Sequence, residues 1–169
     1  MKSFAFVLLM GALSAGLQAA GPVKVELKDA NGAAVGVAAV SENPGGGVAI
    51  DMDLKGLTPG EHAAHIHSVA KCEAPAFTSA GGHFNPDQKQ HGMDNPAGHH
   101  AGDMANFTVK PDGTAKVKLV NSGVNMGSDT HSIFSNGGTA IVIHAAADDM
   151  KTDPAGNAGA RIACGVITK

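Results

Sequence analysis

Hydrophobic and polar positions alternate along much of this chain with a period of two. VKVELK (23–28) alternates along an extended segment, and GVAAVSE (36–42) and VAIDMDL (48–54), separated by the turn-rich NPGGG, read as a hairpin. HAAHIHSV (62–69) continues the pattern. NFTV (106–109) and TAKVKLV (114–120) flank KPDG, a strong turn signal. GTAIVIH (138–144) reads as a buried strand and RIACGVI (161–167) as the last one. Eight short strands and no helical period predict an all-β, eight-stranded antiparallel sandwich or barrel. Two stretches break the rhythm. Residues 70–105 and 145–160 are too long for turns, and the first is rich in Gly, Pro, His and Asp. Both are predicted to be functional loops.

The N-terminus reads differently. Lys2 precedes the apolar run FAFVLLMGALSAG, and small residues follow at LQAAG. This predicts a signal peptide over residues 1–20, cleaved near Ala19 or Ala20, and one mature domain over 21–169. The run is too short to span a membrane. Export, with the periplasm as destination, makes one disulfide the simplest use of the two cysteines, Cys72 and Cys164. Closing so long a loop would stabilise the fold by about 4–5 kcal/mol on a chain-entropy argument.

The formal charge of −3 becomes −4 without Lys2. That argues against nucleic acid and anionic membrane surfaces as partners. Aromatic residues make up 4% of the chain, with no Trp and no Tyr, so stacking platforms are lacking. Monomer and homodimer both stay open.

Histidine is the residue type that changes the picture. Eight of nine histidines lie between positions 62 and 131, and the ninth, His144, ends a strand. In an extended chain His65 and His67 point to the same side while Ile66 points into a core. His83, His91 and His100 follow in the first loop, with Asp103 three residues later. Imidazoles with one carboxylate suit zinc, and an all-imidazole set suits copper. One loop could therefore hold His83, His91, His100 and Asp103 around one ion, with His65, His67 and His144 around another. His83 could serve both through its two ring nitrogens.

H-I-H (65–67), SAGGHFNP (79–86), QHG (90–92), HAGD (100–103), IVIHAAADD (141–149) and GNAGARIACGVI (156–167) together resemble the copper–zinc superoxide dismutases, in order, over most of residues 60–169. The resemblance implies Greek-key connections between the strands and an antioxidant enzyme that dismutes superoxide. It implies copper on His65, His67, His83 and His144, and zinc on His83, His91, His100 and Asp103. It also implies Asp148 as the carboxylate linking His65 to His91, Arg161 as the residue docking the substrate anion, and a Cys72–Cys164 disulfide.

The remaining histidines read as structural. His62 is expected to hydrogen-bond to backbone, His99 to yield to His100 on the H-x-G-D register, and His131 to be solvated. Met93, Met104, Met126 and Met150 are too scattered for a copper(I) carrier. The usual H-G-F-H is here H62-A-A-H65, so packing beside the ligands must differ. The loop before Arg161 is shorter than in animal members and lacks their charged guiding residues, which leaves Lys151 as a candidate for that role. A metal-binding protein without turnover is the rival reading, although no predicted ligand is missing.

Overall fold

The computed structural model describes residues 21–169, so the predicted signal peptide lies outside the described residues. Nine strands form: β1 (Val23–Asp29), β2 (Ala34–Glu42), β3 (Val48–Leu54), β4 (Gly60–His62), β5 (Ala64–His67), β6 (Phe107–Val109), β7 (Ala115–Asn121), β8 (Thr139–His144) and β9 (Arg161–Ile167). Among the described residues the only helical pieces are two single 3-10 turns, at Thr78–Ala80 and Ser135–Gly137.

A seven-stranded antiparallel sheet runs in the order β5-β8-β9-β1-β2-β3-β7, and β4 pairs separately with β6. These two pieces close on each other. β4 leads directly into β5 at one edge of the large sheet, and β6 leads into β7 at the other. The β4–β6 pairing, with His62 opposite Phe107, therefore bridges the two edges and curls the sheet into a barrel. The single strand expected over 62–69 is two strands because the chain changes partner at Ala63. Its N–H donates to the Ala146 carbonyl and its own carbonyl accepts from the His144 N–H, both at 2.9 Å.

Alternation places the core. Val25 and Leu27 of β1, Ile50, Met52 and Leu54 of β3, and Ile141 and Ile143 of β8 fill the barrel interior, with Phe84 and Phe107 as its aromatic members. β8 is buried along its whole length because its other face is covered too. There Ala140 and Val142 pack under Phe77 and Ala80 of the first long loop, beside Cys164. β5 is also buried on both faces. Ala64 and Ile66 point into the barrel, so His65 and His67 face outward beneath the loops, as the two-residue period requires.

Candidate metal centre

The histidines are gathered by a small backbone knot. The Ile66 N–H donates to the Gly102 carbonyl at 2.9 Å, the Gly102 N–H to the Phe84 carbonyl at 2.8 Å, and the Phe84 N–H to the Ile66 carbonyl at 2.8 Å. Three distant segments are locked in a ring, and the chemistry-bearing residues flank its corners: His65 and His67, His83, and Asp103. Only glycine fits at 102, because a Cβ there would collide with the Ile66 carbonyl.

Two donor sets result. His65, His67, His83 and His144 form one, and His83, His91, His100 and Asp103 the other; within each, the donor atoms all lie within 4.8 Å of one another. His83 belongs to both. Every member of both sets is buried.

In the first set, surrounding acceptors decide which ring nitrogen is free. The His67 Nδ1–H donates to the Gly81 carbonyl at 2.9 Å, and the His144 Nδ1–H to the Gly159 carbonyl at 3.2 Å. A carbonyl can only accept, so these nitrogens carry the protons and each Nε2 keeps its lone pair. His65 is reversed: its Nε2–H donates to Asp148 Oδ2 at 2.7 Å, which leaves Nδ1 free. Among the described residues, the buried side-chain nitrogens and oxygens without a hydrogen-bond partner are four: His65 Nδ1, His67 Nε2, His83 Nε2 and His144 Nε2. A buried lone pair left unmatched costs about 1–3 kcal/mol. Four of them converging on one region fit a soft cation that accepts all four.

The second set is built around Asp103. Its Oδ2 accepts the backbone N–H groups of Gly92 and His100, each at 3.0 Å. That pins the carboxylate and turns Oδ1 toward His83 Nδ1 at 2.8 Å, His91 Nδ1 at 3.0 Å and His100 Nδ1 at 3.4 Å. His83 Nδ1 and His100 Nδ1 are 3.4 Å apart. Tetrahedral zinc with bonds of about 2.0–2.1 Å requires donor atoms about 3.3–3.4 Å apart. The set is close to that shape.

Asp148 lies between the two sets and is buried. Its Oδ1 accepts from His91 Nε2–H at 3.0 Å while Oδ2 serves His65, so one carboxylate fixes one ring of each set. Gly156 has φ +61° and leaves no room for a Cβ against this carboxylate. Arg161 donates to the Phe77 and Gly81 carbonyls, both at 2.7 Å. Its guanidinium therefore shares the Gly81 carbonyl with His67. Cys72 and Cys164 form a disulfide, which ties the loop carrying those carbonyls to β9.

The other histidines do different work. His62 directs Nδ1 to the His144 carbonyl at 2.7 Å and Nε2 to the Thr58 carbonyl at 2.8 Å. Exposed His99 uses Nδ1 on the His100 carbonyl, which leaves His100 facing Asp103. His131 pairs with Asp87 at the surface, at 2.9 Å. Three side chains near the centre carried no sequence signal: Asn106 and Asn121, which hydrogen-bond the backbone around Asp148 and Asp103, and Asp153, whose Oδ1 accepts the His91 N–H at 2.7 Å.

Burial is the largest cause of the pKa shifts in the first set. It lowers His67 to about 2 and, against opposing hydrogen bonds, His83 and His144 to about 4. Burial also opposes the charged form of His91, but hydrogen bonds to Asp103 and Asp148 outweigh it and push His91 up to about 9. Burial would raise Asp103, yet hydrogen bonds from His100, His83, His91 and the Gly92 N–H hold it well below the usual carboxylate range.

These shifts fix the sign of a pH effect on the metal-free protein. Between pH 6.5 and about 4 the unfolded chain takes up protons that folded His83 and His144 refuse, so stability falls as pH falls. A shift of that size is worth about 3 kcal/mol per ring. His91 acts in the opposite sense: its contribution is full below pH 6.5 and disappears as pH rises through about 9. Metal-free protein should therefore unfold at clearly lower denaturant at pH 4.5 than at pH 7. Equal midpoints at the two pH values would contradict the neutral, buried state of these rings.

Residues 34–167 match the family model described as copper/zinc superoxide dismutase. The chain is 49% identical over 144 residues to Cu-Zn superoxide dismutase 2 of Aquifex aeolicus, an alignment covering 84% of each chain. It is 40% identical over 144 residues to the Cu-Zn superoxide dismutase of Caulobacter vibrioides, covering 83% of this chain and 82% of the relative. The crystal structure of a SOD-like protein from Bacillus subtilis matches it with a TM-score of 0.84 at 40% identity, covering 87% of this chain and 99% of that one. Barrel, loops and donor sets thus accompany extensive sequence identity, and the chain belongs to the copper/zinc superoxide dismutase family.

Proposed function

We propose that this protein converts superoxide to oxygen and hydrogen peroxide, with copper held by His65, His67, His83 and His144 and zinc by His83, His91, His100 and Asp103. One observation carries this reading. Four partnerless, buried ring nitrogens from β5, the first long loop and β8 converge within 4.8 Å of one another, and one of their rings also faces Asp103. An all-imidazole set suits copper, and three imidazoles with a carboxylate suit zinc. When bound, copper supplies the one-electron chemistry by which one superoxide is oxidised to oxygen and a second is reduced, with two protons, to hydrogen peroxide, while zinc is redox-inert.

The chain's own residues supply the rest. His83 Nε2 is the atom suited to take up a proton at the reaction centre and return it, while Nδ1, facing Asp103, keeps the ring oriented. Asp148 couples the two sets by giving His65 and His91 a common acceptor. Arg161 uses two of its five N–H groups on carbonyls, which fixes the guanidinium and leaves donors for a small anion. A local cation is needed because the protein as a whole is acidic. Lys151, exposed and without an ion-pair partner among the described residues, is a second positive charge in the loop that follows β8. The disulfide supports an exported protein, and the charged, apolar leader makes the periplasm the proposed compartment, with residues 1–20 removed.

Metal analysis combined with a superoxide-scavenging assay tests this. The copper- and zinc-loaded protein should hold one of each ion per chain and scavenge superoxide. Arg161→Ala should slow turnover about tenfold or more while keeping both ions, since the loss is of a guiding charge. A fully loaded protein that does not scavenge superoxide would instead be a metal-binding protein without turnover.

A further inference from the structure

Asp148 must hold two rings at once, and its own backbone is held by a residue outside both donor sets. Asn106 Nδ2–H donates to the Asp148 carbonyl at 2.9 Å, and the Asp148 N–H donates to Asn106 Oδ1 at 2.8 Å. The amide thus grips both backbone polar groups of one residue, as a neighbouring strand would. Asn106 immediately precedes β6, the strand whose pairing with β4 closes the barrel. The grip therefore originates where the first long loop joins the barrel wall. The Asp148 carboxylate is constrained as well, by the Met150 N–H at 2.6 Å and by the close approach of Gly156. What remains free to act is the pair of oxygens facing His65 Nε2 and His91 Nε2.

We propose that Asn106 is a positioning residue for both metal sites: it fixes Asp148 so that His65 and His91 each present Nδ1 to their own donor set. This rests on the metal-site reading given above. The chemical reason is tautomer control. An imidazole whose Nε2–H has a fixed acceptor is locked with its Nδ1 lone pair directed at the metal, and loss of such an outer partner typically weakens metal binding 10–100-fold. Asn106 is one bond further removed, so the expected loss lies near the lower limit.

The test is zinc affinity of the full-length mature chain, measured by competition with a chelator, for wild type, Asn106→Ala, Asn106→Asp and each Asn106 variant combined with Asp148→Asn. Asn106→Ala should weaken zinc binding about tenfold. Asn106→Asp keeps the acceptor for the Asp148 N–H and loses the donor, so it should weaken binding about threefold; it also decides the matter if the alanine variant does not fold. Because the effect runs through Asp148, either loss should shrink to within about twofold in the Asp148→Asn background. A copper electron-paramagnetic-resonance spectrum altered in Asn106→Ala would support the same coupling at His65. Undiminished zinc affinity in both Asn106 variants would overturn the proposal, as would equal losses in both Asp148 backgrounds, which mark a merely structural tie. Wild type failing to bind one zinc per chain is a separate result, and it removes the metal-site reading itself.

Discussion

Asp103→Ala is expected to weaken zinc binding by about two to three orders of magnitude. Structural zinc sites contribute roughly 10–16 kcal/mol, so one ligand of four accounts for about 2.5–4 kcal/mol. The neighbourhood gives Asp103 more to do than the proposed ligand role alone. Its Oδ1 is the point on which three imidazoles converge, and no other carboxylate belongs to that donor set. Its Oδ2 also satisfies two backbone N–H groups, which the alanine variant would leave without their partner, at about 1–3 kcal/mol each if they stay buried. The variant should therefore be less stable even without metal. Asp103→Asn separates the two effects, because an amide oxygen can keep both backbone bonds while the charge is lost. It should recover much of the apo stability and little of the zinc affinity. Chelator competition and denaturant unfolding of the two variants provide the check, and unaltered zinc affinity in Asp103→Ala would remove Asp103 from the site.

The strand pattern was legible because the core has one physical requirement, apolar residues at every second position, and β1, β3 and β7 largely obey it, whereas β2 slips by one residue between Val35 and Ala38 and leaves Val37 exposed. The outward placement of His65 and His67 follows from the same period once Ile66 is assigned to the interior. The split at Ala63 was not legible. Ala63 and Ala64 are both fully buried and neither is a turn residue, so nothing local marks the change of partner; the break comes from hydrogen bonds to residues 144 and 146. The donor sets were readable by likeness and by spacing, since each ligand type is chemically distinctive. Asn106, Asn121 and Asp153 were not. An asparagine ahead of a strand reads as a turn residue, and only the folded chain reveals that the amide of Asn106 faces Asp148, 42 residues later. Supporting contacts of this sort are set by tertiary geometry, which a single sequence does not encode locally.

Removing the disulfide, by Cys72→Ala with Cys164→Ala, is expected to cost about 4–5 kcal/mol, because the bond closes a loop of 92 residues. For a domain of this size that lowers the melting temperature by roughly 10–18 °C. A second effect should appear well below the melting point. The bond anchors to β9 the loop that buries Phe77 and Ala80 over β8 and supplies the Phe77 and Gly81 carbonyls. Those carbonyls fix the Arg161 guanidinium, and Gly81 also sets the tautomer of His67. A looser loop would therefore disturb together the Arg161 guanidinium, proposed to dock the anion, and the His67 ring, proposed to hold copper, whereas Asp103 and its partners stay attached through the backbone ring of Ile66, Phe84 and Gly102. The cysteine-free protein should keep its zinc affinity, turn over superoxide more slowly and lose part of the advantage proposed for Arg161. Adding Arg161→Ala to it should then slow turnover less than the same change does in the disulfide-bonded protein. If Arg161→Ala costs as much in both backgrounds, the disulfide stabilises the barrel without positioning the arginine.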